Sequence, residues 1–316
     1  MESNIRKRVA GLGLYLFMLV LRVKVRLWSI GFQLLHLNRR WFTREVNGNT
    51  MLLDFKDKGI SRELLYAGIR EARATGFLQT LLSPGEVCLD IGSNIGYYAL
   101  LEARLVGERG KVFCIEPSIS NIEVLQKNIE ANGYDNIETL RAAAGAENTK
   151  GKINLSQSSN RHSFLKADLD FSGETEEVDI VTVDSFLVGK SSPTFIRMDV
   201  EGYETEIIRG MKETLAAGKP LKLFIEFHCP LLPDAGRELL ETLKKEGFSI
   251  RAMLKEHFSM LTVEPGAFIA LHDFLFKERY HLLNNSFENY DVSIDEFLSS
   301  LHLLSENVFE IFFERK

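Results

Sequence analysis

Cysteine is scarce and unpatterned in this chain. Its 316 residues hold three, Cys88, Cys114 and Cys229, and no C-x-x-C pair. An odd count without that spacing argues against a disulfide framework. Each cysteine sits in or just after an apolar run, so all three read as buried thiols in a reducing compartment. A membrane-spanning run is also missing. The uncharged stretch from Val9 to Leu21 is 13 residues long, against about 20 for a spanning helix. No small-residue cleavage site follows it, which argues against a secretory signal. Basic charge is absent where a nucleic-acid enzyme would need it. The net charge of −6 divides into +8 for residues 1–44 (nine Lys/Arg, one acid) and −14 for the remainder (29 basic, 43 acidic). An acidic body has no face on which to neutralise phosphates.

The last absence falls in the stretch around which the chain is organised, Val87-Cys-Leu-Asp-Ile-Gly-Ser-Asn-Ile-Gly96. An apolar run, two glycines and the helix-compatible segment from Tyr97 to Val106 predict a buried parallel strand, a tight turn and a helix N-terminus. Such a unit binds nucleotide-like ligands at the free N–H groups of the helix start. A dinucleotide fingerprint needs G-x-G-x-x-G/A, with the middle glycine admitting pyrophosphate. Here Asn94 holds that position. The pattern Asp90-x-Gly92-x-x-x-Gly96 suits a cofactor without phosphate, such as S-adenosyl-L-methionine (SAM). Glu116 closes the next strand-like run, Lys111 to Ile115, 20 residues past Gly96. An acid at that place takes two ribose hydroxyls in doubly wound folds. The bland reading is a plain βαβ unit with a solvated acid at a strand end.

Strand and helix patterns alternate from there to about residue 254. A capping box at Ser120-x-x-Glu123 predicts a helix that ends at Gly133. Strands are expected at 136–141, 178–184, 194–200, 221–227, 248–254 and 308–314, the last two as an antiparallel pair at the sheet edge. Upstream, 51–57 reads as an edge strand and 61–82 as helix divided by Gly68 and Gly76. Polar, small residues at 142–177 read as hairpins and a mobile loop near the cofactor. Three regions result: a basic, hydrophobic N-terminal extension (1–50), the main domain (51–254 with 308–316), and an insertion (255–307). Residues 5–41 suit either an interfacial helix beside anionic lipid, placing a cytoplasmic protein at the inner face of the membrane, or an extension packed on the body or a second subunit. The insertion carries His257, His272, His281 and His302 without ligand spacing for a metal. Ser293-x-x-Glu296 caps an amphipathic helix in it. The insertion is read as a cap over the substrate entrance or a dimerisation element of a homo-oligomer.

These motifs together resemble the FkbM family of SAM-dependent methyltransferases. The residues that carry the resemblance are Gly59-Ile-Ser61, Leu89-Asp-Ile-Gly-Ser-Asn-Ile-Gly-Tyr-Tyr98, Ile115-Glu-Pro117, Thr182-Val-Asp184, Ile196-Arg-Met-Asp-Val-Glu-Gly-Tyr-Glu204 and Ile225-Glu-Phe-His228. They cover roughly residues 50–250. The resemblance implies a class I methyltransferase fold: an α/β, Rossmann-like sheet of seven mostly parallel strands, the last antiparallel, with helices on both faces. It also implies methylation of a hydroxyl, often on a sugar or polyketide. Arg197 stands where the family usually has Lys. The cofactor set is Asp90, Gly92, Ser93, Asn94, Gly96, Tyr97, Glu116, Pro117, Ala142 and Asp199.

Methyl transfer to an alcohol needs alignment and a proton acceptor. Asp199, Glu201, Glu226 and His228 end neighbouring strands and form the expected catalytic group, with Asp199 or His228 as base and the two glutamates orienting. No residue is assigned as a metal ligand; a divalent ion held by Asp199, Glu201 and Glu226 is the rival arrangement. The expected partner is a small-molecule or glycan acceptor, and nucleic acid is not expected. A non-catalytic binding module and an NAD-dependent oxidoreductase are the competing readings. Asn94 disfavours the second.

Overall fold

The structure is a computed structural model that describes residues 40–165, 171–232, 234–254, 292–303 and 307–316. The basic segment 1–39 and residues 255–291, with three of the four insertion histidines, lie outside the described residues. Among the described residues no helix is long and apolar enough to cross a membrane.

The described chain opens with the hairpin β1 (Trp41–Val46) and β2 (Asn49–Asp54), followed by α1 (Ile60–Ala67) and α2 (Ala72–Leu81). Then come β3 (Val87–Ile91), α3 (Tyr97–Val106), β4 (Lys111–Ile115), α4 (Ile119–Asn132) and β5 (Ile137–Leu140). A small sheet of β6 (Ala143–Ala144), β7 (Thr149–Ser156) and β8 (Phe171–Val181) interrupts the alternation. After the short α5 (Val183–Phe186) follow β9 (Phe195–Met198), α6 (Glu204–Arg209), α7 (Lys212–Ala216), β10 (Leu221–His228), α8 (Ala235–Lys245) and β11 (Ser249–Leu254). The last described elements are α9 (Ile294–Ser300) and β12 (Val308–Arg315).

The main sheet has the order β11-β12-β10-β9-β3-β4-β5. Only β12 runs against its neighbours; the pairs from β10 to β5 are parallel. This is the expected seven-stranded sheet. Its central strands are unbroken apolar runs because helices cover both faces. Leu89, Ile91, Ile196, Met198, Leu223 and Ile225 pack into one core, with Ile207, Leu215 and Leu239 of α6, α7 and α8. Cys88, Cys114, Phe195 and Phe224 enter the other, with Leu100 of α3 and Leu78 of α2. All three cysteines are buried and unpaired. The chain leaves β3 through α3 toward β4, while β9 lies on the other side of β3. A crevice therefore opens at the carboxyl ends of these strands, where doubly wound sheets bind ligands.

Several local expectations shift. Gly68 ends α1 in a left-handed conformation (φ 72°), but Gly76 lies inside α2 and divides nothing. The Ser120/Glu123 capping box is not used. Ser118 precedes α4, and its N–H donates to Glu116 Oε1 (3.0 Å), so the strand-end acid serves that helix start instead. The Ser293/Glu296 box closes as read. The strand expected to end at Asp184 stops at Val181. Asp184 instead accepts the N–H groups of Glu213 and Thr214 at the start of α7 (2.9 Å each). Residues 41–50, assigned to the extension, form β1, the turn and the first two residues of β2. Asn128 and Asn132, one turn apart on α4, fasten that hairpin at Leu52 and Thr50.

Candidate active site

The turn after β3 is a left-handed run, with Gly92 at φ 79°, Asn94 at 50° and Gly96 at 96°. A Cβ on Gly92 would lie 2.0 Å from the Asp199 carbonyl oxygen. The glycine is thus required by the contact between the ends of β3 and β9, as well as by its backbone angle. Asn94 N–H donates to Glu116 Oε2 (2.9 Å), and the Asn121 amide reaches Oε1 (3.2 Å). The same two asparagines hold the Ser159 carbonyl at 2.9 and 3.0 Å. Asp57 grips this loop from the other side, accepting from Gly59 N, Ser61 N, and Ser159 N and Oγ at 2.8–2.9 Å. That explains the Gly59-Ile-Ser61 motif: it seats the polar tract 156–160 over the crevice, an open space of about 600 Å³.

Six of the ten expected cofactor residues line this crevice: Gly92, Asn94, Glu116, Pro117, Ala142 and Asp199. Four do not. The strand runs one residue past Asp90, so its side chain points onto the sheet face instead of the strand end. It is fully buried there and pairs with Arg197 (3.0 Å), which the β3–β9 register sets beside it. Ser93 Oγ turns back to the Asp90 carbonyl (2.7 Å). Gly96 faces Leu125. Tyr97, buried at the first position of α3, is directed back toward α2; its hydroxyl bonds both the N–H and the carbonyl of Arg70. Sequence reasoning missed Asn121, Asn160, His162, Phe164 and Tyr203, which also line the crevice. The only signal for the loop members was the tract's small, polar composition.

Glu116 is 4% exposed. Burial pushes its carboxyl up to about 7, against three hydrogen bonds that pull it down. Ribose hydroxyls donate to a carboxylate, so bound cofactor favours the ionised form and lowers that value. Affinity is then full above pH 7 and is lost as the pH falls through it. By calorimetry, the Kd for S-adenosylhomocysteine should rise up to about tenfold between pH 8 and pH 6. Glu116→Gln should flatten the profile. A flat wild-type profile would contradict the ribose assignment.

On the other side of β3 stands a wall of charge. Arg197 bridges Asp90 and Asp199 (2.8 Å to Asp199 Oδ2) and lies over the Tyr98 ring at 4.1 Å. Burial alone would raise the Asp199 carboxyl, but Arg197 and Arg70 outweigh it and hold the group below the ordinary value. Arg70 itself pairs with Glu71 and Glu63. His228 is 5% exposed. Its Nδ1 bonds the fully buried Glu204 at 2.7 Å, and its Nε2 lies 3.4 Å from Glu201 and 3.9 Å from Glu226. Burial would lower the imidazole, yet Glu201, Glu204 and Glu226 raise it well above its usual value. The two ring nitrogens thus face Glu204 on one side and Glu201 and Glu226 on the other. Burial, then Asp199, pushes Glu226 well above the carboxylate range; burial pushes Glu201 up to about 7. Asp199 and Glu201 face the crevice, whereas Glu226 and His228 are not part of its lining and stand beside them.

A model of the methyltransferase FkbM domain matches residues 90–250, about half of the chain. Protein-L-isoaspartate O-methyltransferase 1 of Archaeoglobus fulgidus is 39% identical over 59 residues, 19% of this chain and 27% of that protein. The chain thus spans about a quarter of the length of that relative. The probable cobalt-precorrin-6B C(15)-methyltransferase (decarboxylating) of Sulfolobus acidocaldarius is 25% identical over 161 residues, 45% of this chain and 78% of that one. Among solved structures, the FkbM methyltransferase of Methylobacillus flagellatus aligns with a TM-score of 0.38 and 21% identity, over 52% of this chain and 38% of that one.

Proposed function

Because the chain belongs to the FkbM-domain methyltransferases, whose methyl donor is SAM, we propose that it methylates a hydroxyl oxygen of a sugar, glycan or lipid-linked metabolite. The observation that carries this reading is the placement of two different acidic devices on the two sides of β3. Glu116 offers its carboxylate where the cofactor ribose would lie. Asp199 and Glu201 line the same crevice across the strand. In the transfer, the methyl carbon leaves the sulfonium sulfur as the acceptor oxygen forms the new C–O bond in line. The acceptor's proton passes to a carboxylate, and the products are the methyl ether and S-adenosylhomocysteine. Alignment of this kind supplies much of the rate.

Glu201 takes the proton in this scheme. Its side chain is the most accessible of the group, at 23% exposed, and its Oε2 lies 3.4 Å from His228 Nε2. Asp199 orients the hydroxyl through the oxygen not held by Arg197. That pairing has a second consequence. A bare anion against the sulfonium would stabilise the ground state more than the transition state, because the charge disperses as the methyl moves. Arg197 dampens the charge of Asp199 at that point.

The test is incubation of a small-molecule and glycolipid extract with the full chain and methyl-labelled SAM, followed by mass spectrometry. A product with the intact label on an ether oxygen is expected. Label on nitrogen or carbon would overturn the hydroxyl reading. S-adenosylhomocysteine binding with no labelled product would favour a non-catalytic binding module.

A further inference from the structure

We propose that Asp199, Glu226 and His228 form a binding site for one divalent first-row metal ion of the Mn²⁺ type, with Glu201 in reach as a further ligand. One carboxylate oxygen from each acid and one ring nitrogen all lie within 4.8 Å of one another. Two donors bound to one ion at about 2.1 Å sit at most about 4.2 Å apart, so closing the site needs only a small inward movement. The frame is rigid. Asp199 and Glu226 follow the paired residues Met198 and Ile225 on the adjacent parallel strands β9 and β10.

Three independent features point to a cation here. The first is the orientation of His228. Its Nδ1 is bonded to the buried carboxylate of Glu204, the outer partner that fixes ligating histidines. This leaves Nε2 aimed between Glu201 and Glu226, at separations longer than a charge-assisted hydrogen bond. The second is Glu226 Oε2, a buried oxygen with no hydrogen-bond partner among the described residues. A buried polar atom of this kind carries a desolvation cost until something binds it. The third is charge. Arg197 is occupied by Asp90 and Asp199, and Arg70 by Glu63 and Glu71. Three carboxylates, Glu201, Glu204 and Glu226, are left facing a single imidazole. A dipositive ion neutralises that excess.

One nitrogen with two or three carboxylate oxygens favours Mn²⁺ or Fe²⁺ over Mg²⁺, which prefers oxygen alone, and over thiolate-seeking ions. If the methyl-transfer reading holds, the ion would also lower the pKa of an acceptor hydroxyl bound beside Asp199. The site itself does not depend on that reading, because ion binding is measured directly.

The test is a Mn²⁺ titration of the metal-stripped full chain, followed by electron paramagnetic resonance of the free ion. S-adenosylhomocysteine stabilisation is measured in parallel to report the cofactor site separately. One saturable Mn²⁺ per chain is expected. Glu226→Gln should abolish it while leaving the S-adenosylhomocysteine shift intact, and Glu204→Gln should weaken it about 10–100-fold. Should Glu226→Gln not fold, His228→Gln decides in its place. Absence of saturable binding in the wild-type chain, or equal binding in wild type and the deciding variant, overturns the site.

Discussion

Asp199→Asn is expected to lower turnover about 10²-fold, the size of effect that follows from losing the group that orients the acceptor hydroxyl, with the affinity for S-adenosylhomocysteine unchanged. The substitution is close to isosteric. It leaves Arg197 paired with Asp90 at 3.0 Å, so the buried cation keeps a partner and the ends of β3 and β9 stay together. What disappears is the negative oxygen facing the acceptor hydroxyl. Rates of S-adenosylhomocysteine formation with and without extract, at saturating SAM, separate this from a cofactor defect. Wild-type turnover in the variant removes Asp199 from the mechanism, and loss of cofactor affinity moves it to the binding side.

Glu116→Ala is expected to weaken S-adenosylhomocysteine by about 10–100-fold, since a hydrogen bond to a charged group contributes about 1.5–3 kcal/mol. Two costs combine. The ribose hydroxyls lose their acceptor, and the N–H groups of Asn94 and Ser118 lose theirs. The second cost loosens the turn that positions the cofactor, so Glu116→Gln, which keeps much of the shape, should fall between alanine and wild type. Calorimetry at pH 8, where the wild-type carboxyl is ionised, gives the cleanest comparison. Equal affinity for wild type and alanine variant would mean that the ribose lies elsewhere.

The positions of these two acids along the chain were legible because they follow from period and punctuation. An apolar run of five, a glycine turn and a helix start give β3 and α3 with little ambiguity, and Glu116 then falls at the end of β4 by count alone. Asp199 ends its apolar run in the same way. The failures share a cause: side-chain direction is not written in spacing. Asp90 reads as a strand-end acid until β3 is seen to continue through Ile91, and strand alternation then turns it onto the face beside Arg197. Tyr97 reads as a crevice residue until the helix geometry points it at Arg70. The acids around His228 were not legible as one group either: Glu201, Glu204 and Glu226 come together from a loop, a helix start and a strand. One missed element had a usable signal. Asn47-Gly48, between two short runs, is a hairpin turn signature, and both residues take positive φ there. The loop at 156–163 was legible as a polar loop near the cofactor but not in its conformation, because it is held from outside, by Asp57, Asn94 and Asn121.

The central claim is that this crevice is a SAM site with an acidic acceptor wall, and calorimetry of the full chain tests it most directly. S-adenosylhomocysteine and NAD⁺ are titrated in parallel at pH 8. The account predicts one S-adenosylhomocysteine bound per chain, weakened by Glu116→Ala, and no heat with NAD⁺. Saturable NAD⁺ binding without S-adenosylhomocysteine binding would contradict it.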